Sequence, residues 1–232
     1  MFRFKQFTIQ QNNCAMKVGT DGVLLGAWVD VENTNRILDI GTGTGVIALM
    51  LAQRRQNATI NAIEIEENAY LQACENSAKS KWSNRITMFH TSLQNFEPVE
   101  KYDLIVSNPP FFSQSLHNPD SAKTTARHND TLLPAEMVQH AQRLLQENGR
   151  MAVIYPIREA HMFLNAAQET GFYPQRITHV IPSTGKKAKR MLVELSTTSC
   201  SLIETELCIE KETRHTYTQE YIDLTKDFYL RF

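Results

Sequence analysis

The tetrapeptide Asn108-Pro109-Pro110-Phe111 has the residue types needed to hold a planar amino group. Its two prolines lack backbone donors, so the carbonyl groups around them are left facing outward at the end of an apolar run. The side-chain oxygen of Asn108 and the carbonyl oxygen of Pro109 can accept the two hydrogens of an exocyclic amine, and the Phe111 ring can stack on a base. We therefore predict that these four residues are catalytic. A Pro-Pro turn that only ends a strand is the alternative.

A glycine-rich loop, Gly41-x-Gly43-x-Gly45, follows Asp39 and is the second candidate for chemistry. Its glycines let a ligand approach the backbone, and the helix that should follow adds unpaired N–H groups. The spacing differs from the GxGxxG of dinucleotide-binding enzymes and suits the amino-acid end of S-adenosylmethionine (SAM). Glu64, at the end of the next strand, can accept both ribose hydroxyls. These residues predict a SAM site, with a nicotinamide-dependent dehydrogenase as the competing interpretation.

The two motifs together predict an enzyme that moves a methyl group from SAM to a planar amino nitrogen. No strong base is expected, because the attacking nitrogen is neutral and the leaving thioether is a good one. Proximity and alignment should then supply most of the rate. Asn108 is expected to contact the cofactor as well as the amine.

Strands and helices alternate from residue 36 onward, which predicts parallel βαβ units in a doubly wound sheet. Two later strands, at 173–182 and 190–210, predict antiparallel pairing at one edge. We expect an α/β fold with a mostly parallel seven-stranded sheet, an antiparallel C-terminal edge and helices on both faces. Strands are expected at 36–40, 59–65, 85–89, 102–107 and 151–155, and helices at 46–54, at 68–79, before a stop at Asn148-Gly149, and at 158–170.

The two ends of the chain have patterns of their own. Partial alternation over residues 2–9 predicts a short hairpin, and Thr20-Asp21-Gly22 supplies the turn and N-cap of a following helix. An aromatic and apolar stripe from Tyr217 to Phe228 predicts a last helix. We expect one domain over residues 1–232, with 1–35 covering SAM and substrate and 36–232 forming the core.

The composition predicts an ordinary cytoplasmic protein. The 232 residues are 42% hydrophobic and 21% charged with a net charge of −1, so a nucleic-acid contact must come from a local patch. No apolar stretch reaches the roughly 18 residues of a membrane span, and no signal peptide is expected. The four cysteines form no CxxC pair and complete no metal-ligand set, so we expect reduced thiols and no metal.

Several segments, beyond the two motifs, carry a resemblance to a known family. They are Phe4-Lys5-Gln6-Phe7, residues 14–22, Leu25-Gly26-Ala27-Trp28, Tyr217-Thr218-Gln219-Glu220-Tyr221 and residues 224–230. The motif order resembles the class I SAM-dependent methyltransferases, and these segments resemble more specifically the bacterial tRNA1(Val) (adenine-37-N6)-methyltransferases. The resemblance implies a Rossmann-like fold, S-adenosylhomocysteine as product, and methylation at N6 of adenosine 37 in the anticodon loop of a valine tRNA. It also implies that Lys17, Thr20 and Asp21 line the methionine end of SAM.

Two positions depart from what is common among such enzymes. Relatives often carry tyrosine where this chain has Phe111, so stacking is kept and a hydroxyl contact is lost. Many class I enzymes also place an acid after the third strand to bind the adenine amine of SAM. Here the segment is His90-Thr91-Ser92-Leu93, and we expect Ser92 or a backbone carbonyl to serve.

Two segments are candidates for RNA contacts. A predicted loop carries Lys186, Lys187, Lys189 and Arg190, which we expect to bind phosphates, although a solvated turn is the alternative. Arg127-His128 lies in the long loop at 112–132, which we expect to close over a flipped base or contact the anticodon loop. His128 is equally compatible with an ordinary surface position.

Other acceptors fit the tetrapeptide, because each presents a planar amine or amide. They are adenine in DNA, N2 of guanine in rRNA, and a glutamine in a release factor. From a different class, the chain could be a SAM- or RNA-binding module without catalysis, against which the intact tetrapeptide argues. We expect tRNA as partner, no membrane association, and a monomer, with a homodimer as the alternative.

Overall fold

The computed structural model describes residues 1–12, 14, 16–110 and 132–231. Phe111, Arg127 and His128, with the predicted 112–132 loop except Leu132, lie outside the described residues. The helices are α1 (Thr20–Trp28), α2 (Val46–Arg54), α3 (Glu67–Ala78), α4 (Pro134–Leu144), α5 (Ile157–Glu169) and α6 (Gln219–Thr225). The strands are β1 (Phe2–Arg3), β2 (Thr8–Ile9), β3 (Arg36–Ile40), β4 (Thr59–Glu64), β5 (Ile86–His90), β6 (Tyr102–Ser107), β7 (Leu145–Pro156), β8 (Tyr173–Ser183), β9 (Arg190–Ser196) and β10 (Ile203–Glu210).

Within this part of the chain, one large sheet has the strand order β10-β8-β9-β7-β6-β3-β4-β5. Of its eight strands, β9 alone runs against the others, pairing antiparallel with both β7 and β8. The mostly parallel α/β sheet is therefore confirmed, as is antiparallel pairing near its C-terminal edge. The predicted number of seven strands is wrong, because residues 190–210 form two strands rather than one. Small polar residues at 197–201 interrupt them, and β10 crosses to pair parallel with the outer side of β8.

Both faces of the sheet are covered, as the near-continuous apolar strands require. Along β3, Ile37 packs into a core with α1, α2 and α6, whereas Leu38 packs into a second core with α4 and α5. Residues 46–52 of α2 are buried throughout, in agreement with a helix that is apolar on every side. Among the described residues, no helix is both long and apolar enough to cross a membrane.

Several local predictions hold and others fail. The hairpin of β1 and β2 is confirmed. Thr20 is not an N-cap: Gly19 holds that position without a side-chain bond, and Thr20 is the first helical residue. Helix α4 ends at Leu144 rather than at Asn148-Gly149. The pairing of β6 with β7 skips from Leu145 to Arg150, and Asn148 adopts a left-handed φ of 63° within that interruption.

The last helix is shorter than its apolar stripe. It spans Gln219–Thr225 and is capped by Thr218, whose side chain accepts a hydrogen bond from Tyr221 N–H. Phe228 lies beyond the helix, and its carbonyl accepts a hydrogen bond from the backbone of Lys5 at 2.8 Å. The N-terminal hairpin and the C-terminal segment therefore pack against each other.

Candidate active site

A cavity of about 520 Å³ opens at the carboxyl ends of β3, β4, β5 and β6, where ligands of open α/β sheets bind. Its size lies within the roughly 300–1,000 Å³ typical of small-molecule sites. The two motifs meet there, although they are far apart in sequence. The predicted site residues in its walls are Gly41, Gly43, Glu64, Ser92, Asn108, Pro109 and Pro110.

Asn108 presents a hydrogen-bond acceptor that is not already used. Its Oδ1 is buried and has no partner among the described residues, although the residue itself lines the cavity. Leaving a buried oxygen unpaired costs about 1–3 kcal/mol, so such atoms tend to have a function. Helix α1 approaches the other amide atom: a Cβ on Gly22 would lie 3.7 Å from Asn108 Nδ2. Asn108 thus borders the cavity and holds a buried oxygen whose acceptor capacity no described residue uses.

The glycine loop needs its glycines for conformation. Gly41, Gly43 and Gly45 have φ values of 66°, 56° and 81°, in the left-handed region that disfavours side chains. A Cβ on Gly41 or Gly43 would meet no described atom within 4 Å, so this backbone faces open space. Gly45 instead packs against Ala73 and Met88 at the N-cap of α2 and does not line the cavity. The first two glycines therefore form the cradle, and the third supports it.

Glu64 fixes the loops on either side of it. Its Oε2 accepts a hydrogen bond from Gly43 N–H at 2.8 Å, and its Oε1 accepts bonds from the N–H groups of Ile65 and Glu66 at 2.9 and 3.0 Å. A carboxylate has about four acceptor positions. In this arrangement one remains, on Oε2, so a ribose that used both hydroxyls would have to replace one backbone donor.

Asp39 lies behind the loop rather than in the cavity wall. It is fully buried, and its Oδ2 accepts hydrogen bonds from Thr42 Oγ1 at 2.6 Å and from Ala48 N–H at 3.2 Å. Burial raises the pKa of this carboxyl group to about 7, against the lowering effect of those two bonds. The structure thus places Asp39 as a support for the loop and the first turn of α2.

Replacing Asp39 with asparagine should change how stability depends on pH. Between about pH 4 and pH 7 the unfolded chain releases this proton while the folded chain keeps it, so wild-type stability falls as the pH rises. Asparagine keeps an oxygen for Thr42 and Ala48 and has no proton to lose. The free energy of unfolding, measured in urea, should rise in the variant relative to the wild type by about 2–4 kcal/mol between pH 4 and pH 7. A difference that stays constant over this range would contradict the assignment.

Wall residues from the N-terminal segment were missed by sequence reasoning. Cys14 and Met16 line the cavity, and the segment that carries them is anchored by buried Asn76 of α3. The Asn76 amide exchanges two hydrogen bonds with the backbone of Gln10, at 2.8 and 2.9 Å, and donates a third to the carbonyl of Thr44 at 2.9 Å. One side chain therefore joins the N-terminal segment to the glycine loop.

In the cavity wall after β5, Ser92 stands where many class I enzymes have an acidic residue, as the sequence indicated. Ser92 lines the cavity, and its Oγ accepts a hydrogen bond from Asn95 N–H at 3.3 Å. An acid is supplied from elsewhere: Glu136 of α4 also lines the cavity, and its Oε2 accepts a hydrogen bond from Leu133 N–H. Glu136 had no signal in the sequence beyond its place in the first turn of a helix.

Three predicted cofactor residues lie outside the cavity wall, at the start of α1. Lys17 and Thr20 are exposed, and Asp21 forms an ion pair with Arg190, whose Nε lies 2.8 Å from Asp21 Oδ2. The sequence assigned Asp21 to SAM and Arg190 to RNA; the structure brings them together beside Gly22, which adjoins Asn108. Lys186, Lys187 and Lys189 are exposed in the turn that precedes Arg190.

Comparison with known proteins places these features in a family. The methyltransferase small domain family matches residues 14–168. A tRNA1(Val) (adenine(37)-N6)-methyltransferase of Trichodesmium erythraeum is 50% identical over 100% of this chain and 98% of its own length. A protein of the same name from Parabacteroides distasonis is 48% identical over 99% of this chain and 98% of its own length.

Solved structures support the fold alone. The crystal structure of a predicted O-methyltransferase from Agrobacterium tumefaciens has a TM-score of 0.71 at 21% identity, covering 89% of this chain and 96% of that one. A ribosomal protein L11 methylase from Lactobacillus delbrueckii has a TM-score of 0.53 at 18% identity, covering 75% of this chain and 76% of that one. The sheet described above therefore has the fold of these two proteins.

Proposed function

We propose that this chain, which belongs to the family of tRNA1(Val) (adenine(37)-N6)-methyltransferases, transfers a methyl group from SAM to N6 of adenosine 37 in tRNA1(Val). The observation that supports this most directly is the unpaired, buried Oδ1 of Asn108, a residue that lines the same cavity as the glycine loop. An amine-methylating enzyme needs such an acceptor, and a protein that only binds SAM does not.

The residues present fit SAM. Gly41 and Gly43 offer open backbone for the methionine end, and Glu64 offers its remaining acceptor to the ribose. We assign Ser92, which lines the cavity, to the adenine. Lys17 lies before α1 and Thr20 and Asp21 begin it, and we assign these three residues to the methionine end from the family resemblance. Asp39 and Gly45 support the loop from behind.

The protein groups around the amine act by holding and orienting it. Asn108 Oδ1 and the Pro109 carbonyl accept its two hydrogens, which fixes the direction in which the nitrogen lone pair points. Pro109 is buried and Pro110 is exposed, both line the cavity, and their rings fix the backbone φ there. Phe111, outside the described residues, would stack on the adenine. SAM, when bound, would supply the electrophilic methyl group and leave as the thioether S-adenosylhomocysteine, and the methylated nitrogen would then release one of its two protons.

On the RNA side, we assign Lys186, Lys187, Lys189 and Arg190 to phosphate contacts, with Arg190 also holding Asp21. Arg127 and His128 are assigned to the anticodon loop from sequence alone. The chain is proposed to act in the cytoplasm as a monomer and as one domain over residues 1–232.

The acceptor class is tested by incubating the protein with labelled SAM and separate fractions of tRNA, rRNA, DNA and protein, followed by nucleoside mass spectrometry. Label should enter tRNA as N6-methyladenosine. Label in DNA adenine, in N2-methylguanosine of rRNA or in protein glutamine would replace the proposed substrate. Binding of SAM without label transfer to any fraction would favour a non-catalytic module.

A further inference from the structure

The connection between β10 and α6, residues 211–218, carries basic side chains that the proposed function does not use. We propose that Lys211 and Arg214 in this connection bind phosphates of the RNA substrate, and that they form one cationic surface with Lys186 and Lys187. This inference rests on the proposed function, because it takes tRNA as the substrate. It adds a second segment, with no motif of its own, to the RNA-binding face.

The two basic segments are held together by backbone hydrogen bonds. Thr184 N–H, at the start of the β8–β9 turn, donates to the carbonyl of Glu210 at 3.0 Å, immediately before Lys211. Lys211 N–H donates in turn to the carbonyl of Thr216 at 2.7 Å, which closes the 211–216 segment into a defined loop. The backbones of the two basic segments therefore lie next to each other at the ends of β8 and β10.

Both segments leave the sheet at the same edge as the active site. Strands β6, β7, β8 and β10 run in one direction, so Ser183 and Glu210 end where Ser107 ends, just before Asn108. In the sheet order β8 is three strands from β6 and β10 is four. At about 4.8 Å per strand, the two segments lie about 14 and 19 Å to the side of the tetrapeptide. A nucleic acid with one base in the cavity can reach both.

The charges of this surface favour an anion. Lys186, Lys187, Lys211 and Arg214 are exposed, and none of them has an ion-pair partner within the described ranges. Of the acids nearby, Glu210 is occupied by His215, whose backbone N–H donates to its Oε1 at 3.1 Å. Glu212 is exposed between the two new cations and is outnumbered by them.

The test compares two double variants that remove the same charge. Lys211→Ala/Arg214→Ala changes the proposed surface, and Lys79→Ala/Lys101→Ala removes exposed lysines at the opposite edge, after α3 and before β6. The dissociation constant of an unmodified tRNA1(Val) transcript is measured from about 50 to 200 mM salt. Lys211→Ala/Arg214→Ala should bind the transcript about tenfold more weakly at about 50 mM salt. The slope of its log affinity against log salt concentration should be smaller by about 1–2. Its SAM affinity and its kcat at saturating tRNA should stay unchanged.

The outcomes separate this inference from the proposed function. If both double variants bind tRNA like the wild type while the wild type still methylates tRNA, the second basic segment is not a contact and the inference fails alone. If the wild type neither binds nor methylates tRNA, the proposed function fails and the inference fails with it. A loss of SAM affinity or kcat in Lys211→Ala/Arg214→Ala would also contradict a role confined to phosphates.

Discussion

Replacing Asn108 with alanine is expected to lower turnover about 100- to 1,000-fold, the cost typical of removing one preorganised hydrogen-bonding group from a reacting centre. SAM affinity should change by no more than a few fold. The fold should tolerate the change, because alanine removes a buried oxygen that has no donor among the described residues. Turnover is measured with tRNA1(Val) under saturating SAM, and SAM affinity by calorimetry on the same preparations.

A second variant separates position from chemistry. Asn108→Gln keeps the amide but moves it by one methylene group, and a displacement of about 1 Å can cost a hundredfold in rate. Both variants should therefore be nearly inactive while SAM binding is kept. Turnover at the wild-type rate by Asn108→Ala would remove Asn108 from the reaction.

Replacing Glu64 with glutamine is expected to raise the dissociation constant for SAM by about 10- to 100-fold. The carboxylate accepts bonds from three backbone N–H groups, of Gly43, Ile65 and Glu66, and a glutamine side chain has one oxygen to offer them. Its NH2 group must then face a backbone donor, and each hydrogen bond to a charged group that is lost costs about 1.5–3 kcal/mol. At saturating SAM, kcat should stay close to wild type, because Glu64 does not contact the amine.

Glu67→Gln is the matched control. Glu67 is exposed in the first turn of α3, does not line the cavity, and loses the same charge when it is changed. Its SAM affinity should stay within about twofold of wild type, because an exposed charge contributes little. Equal SAM affinities for the two variants would show that the Glu64 bonds do not hold the cofactor site together.

The sequence predicts the fold best where local pattern and tertiary environment agree. The strands at 36–40 and 102–107 and the helix at 46–54 have the predicted bounds, because each is a short and mostly apolar run that the fold buries almost completely. The junction of α4 and β7 was misplaced, because Asn148-Gly149 is a turn signal in isolation. Only the pairing of β7 with β6 shows that it falls inside an interrupted strand.

The sequence likewise locates some residues of the site better than others. Strand ends can be located in a sequence, and Asn108 and Glu64, which were predicted from strand ends, both line the cavity. Asp39 lies behind the glycine loop, and its spacing gives no sign that its side chain turns inward to Thr42 and Ala48. The Asp21–Arg190 pair and the Asn76 anchor join residues that are distant in the chain, and such contacts exist only once the fold has brought them together.

The central claim is the position of the methyl group, and one measurement tests it directly. An unmodified tRNA1(Val) transcript is incubated with the purified protein and SAM, digested with a base-specific ribonuclease, and its fragments are sequenced by tandem mass spectrometry. A transcript with guanosine at position 37 is the control. We predict one added methyl group, on N6 of adenosine 37, and none in the control. A methyl group at another position, or methylation of the control transcript, would contradict the account.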